Sequence, residues 1–185
     1  MKNVLKLAVM AFALFCVSLS VNAQVGNVMV GGEPMLPAKN IIENAVNSKA
    51  HTTLVAAVKA AGLVETLQGK GPFTVFAPVN DAFENLPAGT VETLLKPENK
   101  KSLTGVLTYH VVSGKYDFNA LVALIKKGKT SLATVNGAKL TFKMNGLHNI
   151  QVVDESGVAA NISTYDVYQS NGVIHAIDAV LLPKM

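Results

Sequence analysis

The spacing of apolar positions changes once along the chain, near Gly128. Before that point apolar residues recur every three or four positions. Ile41, Ile42, Ala45 and Val46 share one helical face, and Leu54, Val55, Val58 and Ala61 repeat the spacing up to Gly62, a helix terminator. Pro97 opens a further helix carrying Leu103, Val106 and Leu107, which runs out into Tyr109-His110-Val111-Val112, where the β-branched pair favours extension. The next helix is marked at both ends. Asp117 caps it, Phe118, Leu121, Val122 and Ile125 form its stripe, Lys126 and Lys127 complement its last turn, and Gly128 stops it.

Beyond Gly128 the period is two, with Leu140, Phe142 and Met144 on one face and Lys139, Thr141 and Lys143 on the other. Asn136-Gly137 and Ser156-Gly157 separate strand-like runs at hairpin spacing, and Asn171-Gly172 precedes the last strand. One strand interrupts the helical part. Phe73-Thr74-Val75-Phe76-Ala77 lies between Gly71-Pro72 and Pro78, and Asn80 is placed to cap the short helix that follows through Asp81-Ala82-Phe83. Helices first and a strand meander later predict an α+β domain whose helices cover part of an antiparallel sheet. On the last strand Val173, His175, Ile177, Ala179 and Leu181 share one face and Ile174, Ala176, Asp178, Val180 and Leu182 the other. Both faces are mostly apolar, which places this strand mid-sheet, covered on both sides.

The N-terminus follows a different logic. Lys2 and Lys6 flank the start of an apolar run from Leu7 to Leu19, and Val21 and Ala23 are small residues at the positions a signal peptidase reads. Residues 1–23 read as a secretory signal peptide, too short in its apolar run to span a membrane. Cys16, the one cysteine, lies inside that run and outside any lipid-modification box, so the 162-residue mature chain contains no cysteine and no disulfide. A chain of that length buries enough surface for one core without covalent staples. Residues 24–37 carry three glycines and two prolines without periodicity and predict an extended, mobile leader onto a domain spanning 38–185.

Removing Lys2 and Lys6 leaves 14 basic and 12 acidic residues, a net +2. Every basic residue is lysine, so bidentate guanidinium recognition of phosphate is absent and nucleic acid is not an expected partner. The C-terminal run lacks a lipid-anchor signal.

Three segments carry a resemblance. Thr74 to Phe83 reads TVFAPVNDAF, Tyr109-His110 follows, and 171–183 read NGVIHAIDAVLLP. In order and separation they resemble the two motif boxes and central tyrosine-histidine pair of the fasciclin domain family, over about Ala38 to Pro183. The resemblance implies a β-wedge of about seven strands flanked by several short helices, an adhesive or extracellular binding role, and no established catalysis. It points to Asn80, Asp81, Tyr109 and His110 as binding candidates, with Tyr109-His110 packed near the first box, where Asn80 or Asp81 would accept a hydrogen bond. A structural polar contact is the favoured reading of His110.

Other chemistry finds little support. His175 and Asp178 face opposite ways on a strand and cannot pair within it. The four histidines, His51, His110, His148 and His175, show no local ligand spacing, so no metal or other cofactor is expected. No serine sits in a nucleophile elbow, and Gly69-Lys70-Gly71 precedes a strand, the wrong side for a phosphate loop. Asn161-Ile162-Ser163 has the form of a glycosylation acceptor, and chance is the better account in a chain with a bacterial-looking signal. Lys126, Lys127 and Lys129 read as a solvated helix end rather than a polyanion site. With no tryptophan and only Tyr116, Tyr165 and Tyr168 in surface segments, stacking on sugars is weakly supported. The expected function is a secreted, non-enzymatic adhesion or binding module, expected as a monomer, mediating cell-surface or matrix contacts with a protein or polysaccharide. The alternative is a soluble carrier of an apolar small molecule in a crevice between helices and sheet, and an extracellular hydrolase is disfavoured.

Overall fold

A computed structural model describes residues 27–184. The signal peptide expected at 1–23, and Cys16 within it, lie outside the described residues. The chain begins with a small hairpin, β1 (Met29–Val30) and β2 (Glu33–Pro34). Helix α1 (Ile41–Ala45) follows, closed at its start by a reciprocal box in which Asn40 accepts from the Glu43 amide and Glu43 accepts from the Asn40 amide. A 3-10 turn at Lys49–His51 leads into α2 (Thr52–Ala61), which ends on left-handed Gly62, and α3 (Val64–Gln68). Strand β3 (Phe73–Pro78) runs into α4 (Asn80–Glu84) and α5 (Thr90–Leu94), and a 3-10 turn at Pro97 opens α6 (Lys100–Tyr109). Then come β4 (Val111–Ser113), α7 (Phe118–Lys126), β5 (Ser131–Ala133), β6 (Lys139–Asn145), β7 (Asn149–Val153), β8 (Ala159–Gln169) and β9 (Gly172–Ile177).

Seven strands form one sheet in the order β4-β3-β9-β8-β7-β6-β5. Its two ends meet through a bridge between Val112 and Thr134 and a Val135 amide donating to the Val111 carbonyl, so the sheet nearly closes into a barrel. Closure leaves few unpaired edge groups to recruit another chain. Two apolar layers result. The inner one, with Phe76, Leu121, Leu140, Phe142, Ile150 and Leu181, fills the barrel under α7. The outer one packs α1, α2, α3 and α6 against Val75, Ala77, Val111, Val167 and Ile174 on the other face of the sheet. All six residues of β9 are buried, as its two apolar faces require.

Several expectations change. The sheet is not wholly antiparallel, because β3 and β9 pair in parallel from Phe73↔Gly172 to Pro78↔Ile177. Strand β9 stops at Ile177, since Asp178 turns out to accept from the Asn161 amide and side chain, although Val180 and Leu181 are still buried beyond it. Tyr109 and His110 are the last turn and C-cap of α6 rather than extended. The described part of the segment expected to be a mobile leader, residues 27–37, is packed: Val30 and Met35 join the outer core, and Gly31, at φ +62°, sits where a Cβ would lie 2.8 Å from Ser48 Oγ and Lys49 N. A glycine there permits both the left-handed turn and the close approach.

Candidate functional site

The first motif runs from β3 into α4, and the structure gives Asn80 a different task from capping its own helix. Val79 is the N-cap of α4 and offers no side-chain bond. Asn80 lies one residue inside, where its side chain reaches α2. Its Oδ1 accepts from the Thr53 amide at 3.1 Å and Thr52 Oγ1 at 3.2 Å, and its Nδ2 donates to the Lys49 carbonyl at 2.9 Å. The start of α2 has no side-chain cap of its own, so Asn80 supplies one from across the fold. Asp81, next in sequence, is exposed, and its side chain makes no hydrogen bond among the described residues.

His110 does not meet Asn80 or Asp81. Its Nδ1 donates to the Val106 carbonyl at 2.8 Å, one helical turn back, and its Nε2 accepts from the Leu181 amide at 3.0 Å. The amide fixes the tautomer, because Nε2 must present a lone pair to an N–H. Burial lowers its pKa to about 4. The pair does touch the first motif through the backbone, where the Phe76 amide donates to the His110 carbonyl at 2.9 Å. Tyr109, fully buried, donates from its hydroxyl to the Lys139 carbonyl at 2.9 Å and accepts from the Glu155 amide at 3.1 Å, and burial pushes its pKa up to about 12. Both side chains are fully engaged in holding α6, β6 and the C-terminal tail together.

The tail has a second anchor that sequence reasoning passed over. Buried Asp154 accepts at Oδ1 from the Ser156 and Val158 amides and the Ser156 hydroxyl, and at Oδ2 from the Leu182 amide at 3.0 Å. The only signal was a carboxylate two residues ahead of Ser156-Gly157, the pattern of an Asx turn. His175 is likewise internal. Its Nε2 contacts the Tyr116 carbonyl at 2.8 Å, its Nδ1 accepts from the Asp166 amide, and its ring stacks on Phe76 and meets Tyr165 edge-on. Tyr165 and Tyr168 are less free than expected, Tyr165 packing on Phe118 and Tyr168 lying under Lys115 Nζ.

His51 is the exception among the buried imidazoles. Its Nδ1 is 2.9 Å from Ser48 Oγ, but its Nε2 has no hydrogen-bond partner. Burial lowers its pKa, opposed by a hydrogen bond with the Ala77 backbone. Beside it, between α1, α2, α3 and the sheet, is a cavity of about 110 Å³ whose wall is almost wholly apolar, with Ile42, Leu54, Val58, Leu67, Val75 and Ile174 among its lining. No group of three or more His, Cys, Asp or Glu side chains among the described residues is placed to share a metal ion. No helix among them is long and apolar enough to cross a membrane.

Comparison with known proteins agrees with this architecture. The family model described as Fasciclin domain matches residues 49–183. Protein sll1483 of Synechocystis is 51% identical over 151 residues, covering 80% of this chain and 76% of that protein. The immunogenic protein MPB70 of Mycobacterium bovis is 35% identical over 75% of this chain and 66% of its own length, and the transforming growth factor-beta-induced protein ig-h3 of Sus scrofa is 38% identical over 70% of this chain but only 17% of its own. Among solved structures, a FAS1 domain pair from the insect cell adhesion molecule Fasciclin I superposes with a TM-score of 0.69 at 18% identity, over 78% of this chain and 51% of that one.

Proposed function

Because this chain belongs to the fasciclin domain family, we propose that it is a secreted, non-enzymatic binding module that mediates cell-surface or extracellular-matrix contacts with a protein or polysaccharide partner. The observation that carries this reading is the direction of the polar side chains. Asn80, Tyr109, His110, Asp154 and His175 all spend their hydrogen bonds inside the fold. None is left facing a cleft with an acid, base or nucleophile beside it, so what the molecule offers a partner is a surface. Of the four candidate binding residues Asp81 alone is exposed, which makes α4 the place to look for contact. Export by the 1–23 signal would deliver the module to the periplasm or beyond.

The test is depletion of labelled 24–185 by washed cells of the producing organism at moderate and high salt. Saturable uptake that persists at high salt is expected of a specific adhesive surface, since screening removes only diffuse attraction among exposed charges. Uptake that never saturates, or vanishes at high salt, overturns the reading.

One observation favours a second role, as a carrier of a small apolar molecule: the apolar cavity between helices and sheet, which has the composition of a ligand pocket and includes exposed Val46 and Lys59 in its wall. Co-purification of an extractable apolar compound with 24–185 is the expected sign of it.

A further inference from the structure

The turn Gly69-Lys70-Gly71 takes no part in the motif contacts, yet it forms one wall of an open cleft of about 530 Å³ at the entry to β3. The other walls are the turn between β8 and β9 at 169–172, Asn40 ahead of α1, and Lys115 after β4. Strands β3 and β9 begin side by side here because they run in parallel. Backbone contacts fix the walls. Asn171 donates from Nδ2 to the Leu67 and Gly69 carbonyls and accepts at Oδ1 from the Ile41 amide, and the Ser170 amide donates to the Lys39 carbonyl. A Cβ on Gly71 would overlap the Asn171 carbonyl, so a glycine is what lets the two turns meet. The chemistry of the cleft is one-sided. Lys70 and Lys115 are exposed on it, and no acidic side chain lines it. The Gln68 side chain, Ser170 Oγ, Asn40 Nδ2 and the Lys70 and Gly71 amides have no hydrogen-bond partner among the described residues. The carboxylates that adjoin it are occupied: Glu43 accepts from the Asn40 amide, and Asp117 accepts from the Ala120 amide as the cap of α7. Lys115 Nζ stands 4.5 Å from the centre of the Tyr168 ring, a cation–π contact that positions one of the two cations.

We propose that this cleft binds an acidic polysaccharide, whose carboxylates pair with Lys70 and Lys115 and whose ring hydroxyls meet Gln68, Ser170 and the Asn40 amide group. The inference rests on the binding-module reading only in its choice of a polysaccharide partner, and it assigns that partner a surface other than α4. Two cations with no acid lining the same recess select an anion. The rest of the lining selects among anions: amides and a hydroxyl with free donors suit a ligand that carries several hydroxyls of its own. A cleft of this size falls in the range of about 300 to 1,000 Å³ that encloses a small molecule or one stretch of a chain. Its open ends let a chain pass through, whereas a flat anionic membrane would reach the rim and leave the inner groups unmet. The cleft is also well separated from α4. Strand β3 enters beside it at Phe73 and leaves at Pro78, a length of about 20 Å, before Asp81 is reached.

The experiment titrates uniformly ¹⁵N-labelled 24–185 with a trimer of galacturonic acid and, separately, with neutral maltotriose, at about 0.15 M salt, where attraction between distant exposed charges is largely screened. The acidic trimer is expected to bind saturably, with amide shifts confined to 68–72, 115 and 169–172, and maltotriose is expected not to bind. Lys70→Gln with Lys115→Gln should weaken the trimer about three- to tenfold, the worth of two exposed charge pairs, and Gln68→Ala with Ser170→Ala should weaken it in the same direction. Asp81→Asn should leave it within about twofold. Shifts spread equally over Lys126, Lys127 and Lys129 overturn the assignment in favour of diffuse charge attraction, equal binding of maltotriose overturns the role of the lysines, and binding to phosphatidylserine vesicles without binding of the trimer overturns the choice of ligand. The shift map is read on the unmodified chain, so a variant that fails to fold does not remove the test. Uptake by cells with no binding in the cleft overturns this inference and leaves the adhesive reading standing. Binding in the cleft with no uptake by cells does the reverse.

Discussion

At the scale of single residues, the polar side chains of the motif segments act as cross-braces between distant parts of the chain. His110 ties the end of α6 to the tail through one neutral tautomer, and that has a consequence for pH. Its pKa is depressed from 6.5 to about 4 in the folded chain. As pH falls through 6.5 the unfolded chain takes up a proton that the folded chain refuses until about pH 4. Stability is thus fully present above pH 6.5 and falls between there and pH 4, by about 3 kcal/mol as an order of magnitude. His51 and His175, also depressed by burial, add loss of the same sign. Urea midpoints at pH 7.5, 5.5 and 4 should fall in that order, with a shallower fall in His110→Gln; a flat profile contradicts the assignment. Part of this was legible in the sequence. The resemblance implied a structural polar contact at His110, and the imidazole makes one, though with Val106 and Leu181 and not with Asn80 or Asp81. Its partner was not legible, because Leu181 is 71 positions away and donates through its backbone, which carries no side-chain signature. Asn80 failed for a related reason: asparagine before a helix signals a cap, but the amide it caps belongs to α2.

At the scale of elements, regular periods were readable and short pieces were not. Leu140, Phe142 and Met144 marked β6 through strict alternation, and Asp117 with Gly128 bracketed α7 because caps are local chemistry. Helices α3 and α5 have five residues each, too few for a 3.6-residue period to show, and the hairpin at 29–34 has strands of two residues held by contacts with the 48–50 turn. The parallel pairing of β3 with β9 was also hidden, since register between strands whose partners, such as Phe73 and Gly172, lie about a hundred residues apart is set by packing. Glycines report on it. A Cβ on Gly172 would collide with the Phe73 carbonyl at the first rung of that pairing, whereas one on Gly105 of α6 meets nothing within 4 Å. Gly172→Ala should cost at least about 2 kcal/mol by urea denaturation, the range of an overpacked backbone contact. Gly105→Ala should gain up to about 1 kcal/mol, the helix-propensity difference between the two residues. Equal effects at the two sites would refute the packing drawn for β3 and β9.

At the scale of the whole molecule, one sheet serves two cores. Its inner face is closed by α7 and the returning tail, and its outer face is covered by α1, α2, α3 and α6 with the N-terminal hairpin. The α+β class and the central place of β9 followed from sequence alone, because a strand apolar on both faces has to be covered on both sides. Near-closure of the sheet did not, since it depends on Val112 and Thr134 meeting at opposite ends of the strand order. The resulting body directs Asn80, Tyr109 and His110 inward and leaves Asp81 exposed, where the proposed contact would be made. The most direct test of that division is to measure melting and cell binding in parallel for Asn80→Ala, His110→Gln and Asp81→Asn in the 24–185 chain. The first two should melt lower, by an amount equivalent to about 1 to 3 kcal/mol for a lost buried hydrogen-bonding group, and still bind below their melting points. Asp81→Asn should melt like the unmodified chain and bind more weakly. A His110→Gln protein with unchanged melting and lost binding would contradict the account, because it would make the buried pair part of the contact surface.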